Sequence, residues 1–262
     1  MPVLILSPRY TADSNALWKA AIQAGWQVER LQTRQPSSYL KDMNPVVYGE
    51  GLFIAVIVEV LELAPLEPTF CWLPELPEHY RKREIQCTTL KMARAQKMPA
   101  FIKPAVGKSF DAKIYLSGSD LPIQDVFSED MPVLISEPVA WEIEFRCFIC
   151  ERNLITYSPY LRTGQFLENS GWAATPDEIA GATEFCKLLL SDISVMLPPA
   201  IVIDIGYITN RGWAVVEANP AWASGLYGCD PSLVLGVLEK AVVPLGALTD
   251  RDKHWVVDKT DT

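Results

Sequence analysis

Histidine is scarce in this sequence of 262 residues, which contains only His79 and His254. A zinc centre built on histidine ligands and a Ser-His-Asp triad are therefore poorly supported. The chain also lacks a G-x-x-x-x-G-K-[ST] motif, so nothing indicates a P-loop nucleotide-binding protein. These absences remove three common classes of site.

Positive charge is in deficit, with 23 Lys and Arg residues against 32 Asp and Glu residues and a net charge of −9. Such a molecule repels phosphodiester backbones and anionic membrane surfaces, which argues against nucleic-acid and membrane partners. No run reaches the roughly 18 apolar residues of a membrane-spanning helix, and the first residues lack the pattern of a signal peptide. We therefore expect a cytoplasmic protein.

The six cysteines lack the short, dense spacing of a disulfide framework, and we expect reduced thiols. Cys147 and Cys150 are three residues apart in a segment that reads as a strand, so they face opposite sides and do not share a metal. Hydrophobic residues make up 49% and charged residues 21% of the chain, which is typical of a folded globular protein.

Hydrophobic periodicity predicts a small α/β unit at the start of the chain. Residues 3–6 and 26–31 read as strands, and residues 13–24 between them read as a helix. The length of the apolar run 52–63 favours a helix. Four prolines in residues 65–77 exclude a helix or a central strand, so we place a domain boundary there.

The rest of the chain is richer in strands. Residues 133–137, 142–151 and 154–160 read as strands, a helix begins at Pro176 after the cap Thr175, and residues 200–219 read as a β-hairpin. The fold class is thus α+β / α/β. The predicted division is an α/β domain of residues 1–76, a second domain of residues 77–248 with subdomains 77–136 and 137–248, and a tail of residues 249–262.

Three oxygen-bearing side chains interrupt the apolar strands of this hairpin: Asp204, Glu217 and Asn219. A strand projects Glu217 and Asn219 from one face, and pairing across the turn brings Asp204 beside them. Hard oxygen ligands without histidine suit Mg²⁺, which takes its other ligands from water and phosphates. The alternative is that the carboxylates are partly exposed residues flanking a turn.

Two further segments carry candidate binding residues. Lys103 ends a strand and precedes a loop with Lys108 and Lys113, which is a way to neutralise phosphate oxygens; the alternative is a solvated loop. The second segment contains a break between strands, where exposed backbone can bond an adenine edge, and a carboxylate that can accept ribose hydroxyls. Its residues are Glu137, Pro138, Val139, Glu144 and Arg146, with Glu144 and Arg146 alternatively forming a structural pair.

In their order and spacing, these residues resemble the ATP-grasp superfamily. A lysine ends a strand as in IKP at Lys103, an acidic hinge follows at Glu137, and a carboxylate stands seven residues later at Glu144. Asp204, followed by Glu-x-Asn at Glu217, resembles the metal-binding residues of that family. The segments VVYGEG, EFRCFI and VVEANPAWASGLYGCDP are similar to short prokaryotic and viral ATP-grasp proteins of unassigned substrate.

The resemblance implies an ATP-grasp fold, in which two α+β subdomains enclose ATP, preceded by a small Rossmann-like pre-ATP-grasp domain. It implies ATP and two Mg²⁺ ions as cofactors, with Mn²⁺ as an alternative metal. Lys103 and Arg146 would be catalytic. ATP would contact Lys103, Lys108, Lys113, Glu137, Pro138, Val139, Glu144 and Arg146, and the metal ligands would be Asp204, Glu217 and Asn219.

The implied activity is a ligase that activates a carboxylate as an acylphosphate for attack by an amine. Its partners would be small-molecule or peptide acids and amines, and a homodimer is compatible with the sequence. The family's arginine before the metal-binding aspartate is absent from Ile201, Val202 and Ile203, so Arg146 or Arg162 would replace it. A kinase-like phosphoryl transferase and a non-catalytic ATP-binding module are the alternatives.

Substrate contacts are expected from residues 222–227, together with Tyr157, Tyr160 and Arg162, and core packing is the alternative for the aromatic side chains. The N-terminal unit near Tyr48 and Gly49 would close the acceptor side. Asp204→Asn is expected to leave the fold intact. Lys91 is the candidate for a second phosphate-binding lysine.

Overall fold

The computed structural model describes residues 1–32, 36–122 and 126–256. In chain order, the strands of this part are β1 (Val3–Leu6), β2 (Gln27–Arg30), β3 (Pro45–Tyr48), β4 (Leu63–Pro65), β5 (Ile85–Thr89), β6 (Ala100–Pro104), β7 (Lys113–Tyr115), β8 (Pro132–Ser136), β9 (Trp141–Cys150), β10 (Asn153–Arg162), β11 (Gln165–Phe166), β12 (Ala200–Ile208), β13 (Gly212–Asn219) and β14 (Val242–Pro244).

The α-helices of the same part alternate with these strands. They are α1 (Ala12–Gln23), α2 (Gly51–Val60), α3 (Trp72–Glu75), α4 (Glu78–Arg81), α5 (Leu90–Arg94), α6 (Pro176–Ser191), α7 (Pro231–Leu238) and α8 (Asp250–Lys253). Among the described residues, no helix is long and apolar enough to cross a membrane.

The N-terminal α/β unit is a parallel sheet of order β2-β1-β3. All four residues of β1 are buried, which fits the uninterrupted apolar run of a central parallel strand. Helix α1 begins after Thr11, whose side chain accepts from the Ser14 amide in a capping box. The structure confirms the predicted strand-helix-strand order. That this unit is a pre-ATP-grasp domain stays a prediction.

One apolar core runs from this unit into the C-terminal half of the chain. It joins Leu17 of α1 to Val234 and Leu238 of α7 and to Val202 of β12. The proposed boundary after residue 76 therefore has apolar packing across it, and the division into domains stays a prediction.

The proline-rich stretch contains more regular structure than expected. Helix α3 includes Pro74, and β4 ends at Pro65 in a two-stranded pairing with β14. The expectation that no helix forms here was wrong, because proline is tolerated in the first turn, where its missing N–H would have no helical partner.

A disulfide joins Cys71, just before α3, to Cys87 on β5, with their Cα atoms 5.6 Å apart. The expectation of six reduced thiols was wrong for this pair. Their separation of 16 residues carries no local signal, and only the packing of α3 against β5 brings them together. Cys147 and Cys150 are free, as expected.

The four-stranded antiparallel sheet has the order β5-β8-β6-β7 and places Lys103 near the end of β6. Helix α5 packs on this sheet and begins after Thr89, whose hydroxyl accepts from the Met92 amide. A small core that includes Leu90, Ile102 and Val133 holds helix and sheet together. This layer presents Lys103 toward the larger sheet.

The five-stranded sheet has the order β11-β10-β9-β12-β13. Its apolar face includes Phe145, Ile203 and Ile205, which pack in one core with side chains of α6 such as Leu189. Helix α6 begins with Thr175 in a capping box and Pro176 at the first helical position, as predicted. The opposite face of the sheet carries the polar residues.

Candidate functional site

The polar face of the five-stranded sheet gathers residues from three adjacent strands. Asp204 of β12 lies opposite Arg146 of β9 on one side and opposite Glu217 of β13 on the other. Asn219 follows Glu217 by two residues, and its Nδ2 donates to Glu217 Oε1 at 3.0 Å. The structure thus brings the three predicted oxygen donors together, as strand alternation and hairpin pairing indicated.

Asp204 has 0% exposure, and Arg146 compensates its charge. Arg146 Nε donates to Oδ1 at 3.0 Å and Nη2 donates to Oδ2 at 2.7 Å. Burial raises the pKa of the Asp204 carboxyl, and the arginine acts against that shift. The sequence argument assigned this compensation to a metal ion, whereas the structure supplies a bidentate ion pair.

Arg146 is itself fully engaged and 6% exposed. Its Nη1 donates to the Gly225 carbonyl at 2.9 Å, and its guanidinium lies 4.3 Å from the centre of the Tyr227 ring. Arg146 therefore connects the polar face to the segment after β13. The expected Glu144–Arg146 pair does not form, because Arg146 turns toward Asp204.

Lys103 joins the two sheets at this face. Its Nζ lies 2.7 Å from Glu217 Oε2, and the two side chains are 24% and 32% exposed. Burial alone would raise the pKa of Glu217, but Lys103 and the hydrogen bond from Asn219 outweigh it and lower that pKa to about 2. Glu217 is therefore a carboxylate at neutral pH, reachable from solvent and from both sheets.

The donor chemistry of this group fits a hard divalent cation. Within the described ranges, no cluster of three His, Cys, Asp or Glu side chains is placed to hold an ion, so the candidate set needs the amide oxygen of Asn219. Two carboxylates and one amide oxygen are ligands that Mg²⁺ accepts. Glu217 and Asn219 are partly accessible, whereas Asp204 stands behind them with free lone pairs on oxygens that already accept from Arg146.

Glu144 lies two residues before Arg146 on β9 and is 7% exposed. Tyr160 donates its hydroxyl to Glu144 Oε2 at 2.9 Å. Burial raises the pKa of Glu144 to about 7, although the tyrosine acts in the opposite direction. Glu144 is thus a buried acceptor beside the candidate metal ligands, and its contact with ribose stays a prediction.

The break between β8 and β9 holds Glu137, Pro138 and Val139. Glu137 forms a two-point ion pair with Arg211 in the β12–β13 turn, with distances of 2.6 and 2.9 Å, and this pairing lowers the pKa of Glu137. The Glu137 amide donates to the Glu84 carbonyl at 2.9 Å, and proline has no N–H. Val139 therefore carries the remaining backbone donor of this hinge.

The other predicted lysines lie on exposed parts of the smaller sheet. Lys113 of β7 is 3.6 Å from Asp111, and Lys108 is exposed in the loop after β6. Lys91 is 3.0 Å from Glu129 on the outer side of α5. Neither Lys108 nor Lys113 contacts the carboxylates in this structure, so their contact with phosphate stays a prediction.

The residues expected to bind substrate fall into two groups. Tyr160 and Tyr227 lie on the polar side and stack with ring centres 5.2 Å apart. Trp222 is 7% exposed and donates to the Leu66 carbonyl, and Tyr157 packs in the apolar core of α6, so both are structural. Arg162 makes a two-point pair with Glu178 at 2.6 and 2.9 Å, which separates it from Asp204.

The N-terminal unit meets the segment after β13, as expected. Tyr48 donates its hydroxyl to the Ser224 carbonyl at 3.1 Å, and the Gly49 amide donates to the Trp222 carbonyl at 3.0 Å. A side chain at Gly49 would place Cβ 2.6 Å from the Phe53 ring, so only glycine allows this close approach.

Sequence reasoning missed two residues at the site. Arg83 is 8% exposed and donates to the carbonyls of Val215 and Val216 at 2.7 and 2.9 Å, so it fastens the chain before β5 to β13. Asp13, in the first turn of α1, reaches Gly225. No local pattern marks Asp13, because a carboxylate in a first turn is also a common helix-dipole partner.

A sequence model that describes an ATP-grasp domain, the second family of its clade, matches residues 80–237, which is more than half of the chain. No curated protein matches the sequence. The matched segment begins before β5 and contains Lys103, Glu144, Asp204, Glu217 and Asn219.

Solved structures of similar fold include three with titles naming related enzymes or domains. D-cycloserine synthetase aligns with a TM-score of 0.57 and 12% identity over 90% of this chain and 98% of that one. D-alanine–D-alanine ligase from Bacillus anthracis, in complex with ATP, gives 0.54 and 13% over 92% and 97%. A RimK-domain ATP-grasp protein from Sphaerobacter thermophilus gives 0.51 and 13% over 91% and 99%. At these identities the likeness shows the fold.

Proposed function

We propose, from the premise that the chain belongs to this ATP-grasp domain family, that it is an ATP- and Mg²⁺-dependent ligase. It activates a substrate carboxylate as an acylphosphate, which an amine then attacks to form an amide. The proposed arrangement is an α/β domain of residues 1–76, an ATP-grasp domain of residues 77–248 with ATP between its subdomains, and a tail of residues 249–262.

A single contact carries the proposal: Lys103 of the four-stranded sheet lies 2.7 Å from Glu217 of the five-stranded sheet. A cation and a carboxylate meet where two layers face each other, next to Asp204 and Asn219. This arrangement supports a phosphate group that is neutralised by lysine from one layer and by metal ions from the other.

The metal ligands in this proposal are Asp204, Glu217 and Asn219, which hold two Mg²⁺ ions, or Mn²⁺ in their place. When bound, the ions supply charge neutralisation for the phosphates during transfer. Glu217, with a pKa of about 2, is in the ionised form that ligation needs at neutral pH. Asn219 orients Glu217 by the hydrogen bond to Oε1.

Lys103 is the proposed catalytic cation. When metal takes up the charge of Glu217, the lysine is released to donate to phosphate oxygens, and its position at the end of β6 restricts how far it has to move. Lys108 and Lys113 are proposed further phosphate contacts from the following loop and strand. Their exposure leaves them free to turn toward a nucleotide.

Arg146 has a proposed positioning role, in place of a direct contact with phosphate. Its two hydrogen bonds hold the Asp204 carboxylate in one orientation, and its third ties Gly225 to the same point. Glu137, Pro138 and Val139 are the proposed adenine-binding hinge, with Val139 offering the backbone donor. Glu144 is the proposed ribose acceptor, deprotonated when hydroxyl groups replace Tyr160 as its donor.

The test is a screen for ADP release. The full chain is incubated with Mg·ATP and with amino acids, peptides and polyamines, singly and in acid–amine pairs, and products are identified by mass spectrometry. We expect ADP only when an acid and an amine are both present, and a product whose mass equals their sum less one water. Glu217→Gln should abolish this activity. Glu184→Gln, exposed on α6, is the matched control and should retain it.

Other outcomes separate the alternatives. ADP released without an amine, with a stable phosphorylated product, would identify a kinase-like phosphoryl transferase. A rise in melting temperature with Mg·ATP but no ADP from any mixture would identify a non-catalytic module. If Mg·ATP caused no rise at all, the nucleotide-dependent function would be rejected.

A further inference from the structure

An aromatic cluster lies beyond Arg146, on the side away from Lys103. Tyr227 stacks on Tyr160 at 5.2 Å and 7°, and the rings of Phe166 and Trp172 lie 5.7 and 6.3 Å from it. We name these four side chains the aromatic recess. Phe166 is 60% exposed, so the recess is open to solvent and is not part of the closed core.

The N-terminal unit places a carboxylate at the edge of the aromatic recess. Gly225 separates Asp13 from Tyr227: a Cβ on this glycine would stand 3.2 Å from Asp13 Oδ2 and 3.4 Å from the Tyr227 ring. Asp13 also accepts a backbone hydrogen bond from Leu226. The carboxylate and the ring thus border one small space that a larger residue than glycine would fill.

The charges around this space favour a cation. Arg146 lies close, but its Nε and Nη2 donate to Asp204 and its Nη1 donates to Gly225. Glu168 is a second acidic neighbour of Asp13, and no salt bridge of Asp13 is found in the described ranges. Burial raises the pKa of Asp13, as expected for a carboxylate that lacks a close counter-ion.

The aromatic recess is also next to the reacting groups of the proposed ligase. Gly225 is bonded through its carbonyl to Arg146, Arg146 to Asp204, and Asp204 lies opposite Glu217. Two contacts therefore separate Asp13 from the candidate metal ligands. A molecule held here would lie one layer from an activated carboxylate.

Resting on the proposed function, we propose that Asp13 and the aromatic recess bind the ammonium group of the amine substrate, which is an aliphatic alkylammonium compound. Aromatic faces attract cations through the ring quadrupole, and an adjacent carboxylate adds a charge-assisted hydrogen bond. An acid substrate would instead need free positive groups, and in the described part of the chain the nearby Arg146 has none of its donors to spare. The recess therefore selects the amine.

The probe is 1,5-diaminopentane, titrated by calorimetry into the full chain with Mg·ADP present. We expect saturable binding of the diamine and none of 1-pentanol, which has a similar chain without charge. Asp13→Asn should weaken diamine binding at least tenfold and Phe166→Ala about fivefold, since the first removes the carboxylate and the second an aromatic face. Glu184→Gln is the control and should bind as the wild type does.

Phe166 is exposed, so Phe166→Ala keeps the test available even if Asp13→Asn does not fold. Absence of saturable diamine binding to the wild type would overturn the proposal, and so would wild-type affinity in both variants or equal binding of 1-pentanol. The thermal shift with Mg·ATP separates the two proposals. A wild type that shifts with Mg·ATP but binds no diamine keeps the ligase function and loses the amine site, whereas loss of the shift itself rejects the ligase.

Discussion

At the scale of single residues, the Arg146–Asp204 pair changes what is expected of substitutions at the site. An exposed metal ligand can be neutralised with little loss of stability, but Asp204 has 0% exposure and accepts two hydrogen bonds from a guanidinium. Removing one charge leaves the other buried and unpaired, which is strongly unfavourable. The expectation that Asp204→Asn leaves the fold intact does not hold for this geometry.

We expect Asp204→Asn to lower the free energy of unfolding by about 3 kcal/mol, because Arg146 would keep its charge without a counter-ion. Urea denaturation of the variant and the wild type at pH 7, in the absence of nucleotide and metal, measures this difference. Glu184→Gln should change it by less than about 0.5 kcal/mol. A variant as stable as the control would show that the buried ion pair is absent in solution.

Glu144 should make stability fall as pH rises. Its folded pKa of about 7 lies above the unfolded value of 4.5, so the folded state holds the proton more tightly between these values. The resulting stabilisation is complete below about pH 4.5 and is lost by pH 7. Glu144→Gln cannot titrate, so the stability of the variant relative to the wild type should rise by up to about 3 kcal/mol over this window.

Denaturation curves at pH 5, 6, 7 and 8 without metal give the relative stability of the Glu144→Gln variant. Glu184→Gln provides the matched comparison, since Glu184 is exposed on α6. A constant difference between Glu144→Gln and the wild type across this range would contradict a raised pKa at Glu144.

At the scale of elements, helix α6 explains why Arg162 does not serve the site. Glu178 is the third residue of a helix capped by Thr175, and its carboxylate accepts from Arg162 at 2.6 and 2.9 Å and from the Thr175 amide at 2.8 Å. The ion pair and the capping box act on the same carboxylate. They fasten the start of α6 to the end of β10.

The Arg162–Glu178 pair predicts a stability that weakens in acid. Arg162 lowers the pKa of Glu178 to about 2, so its contribution is present above the unfolded pKa of 4.5 and is lost as pH falls toward 2. Because the arginine is 39% exposed, solvent screening limits the contribution to about 1 kcal/mol. Glu178→Gln should therefore be about 1 kcal/mol less stable than Glu184→Gln at pH 7 in urea, and the gap should shrink by pH 3. A gap that is unchanged by acid would refute this account.

At the scale of the whole molecule, Lys103 and Glu217 are 114 positions apart in the chain and connect the two sheets. We expect Lys103→Met to remove most of the rise in melting temperature that Mg·ATP causes, because the smaller sheet would lose its cation at the interface. Lys187→Met, at an exposed lysine on α6, should keep the full rise. Equal shifts in the two variants would exclude Lys103 as a phosphate contact.

Much of the local structure was predictable from the sequence. Capping residues such as Thr175 and turn residues mark where elements begin, and the two-residue period of a strand places Glu217 and Asn219 on one face whatever the strand packs against. The misassigned stretch around Pro74 was a helix too short for periodicity to reveal.

The sequence by itself determined which side chains share a face and therefore which oxygen donors converge in the β12–β13 hairpin, since neighbouring strands joined by a short turn pair through local geometry. Only the tertiary structure decided the charge partners of those donors. Arg146 is 58 positions from Asp204 and Lys103 is 114 from Glu217, and such pairs form through the order of strands and the approach of two sheets. Periodicity carries no information on that order, because it repeats within each element and is silent between them.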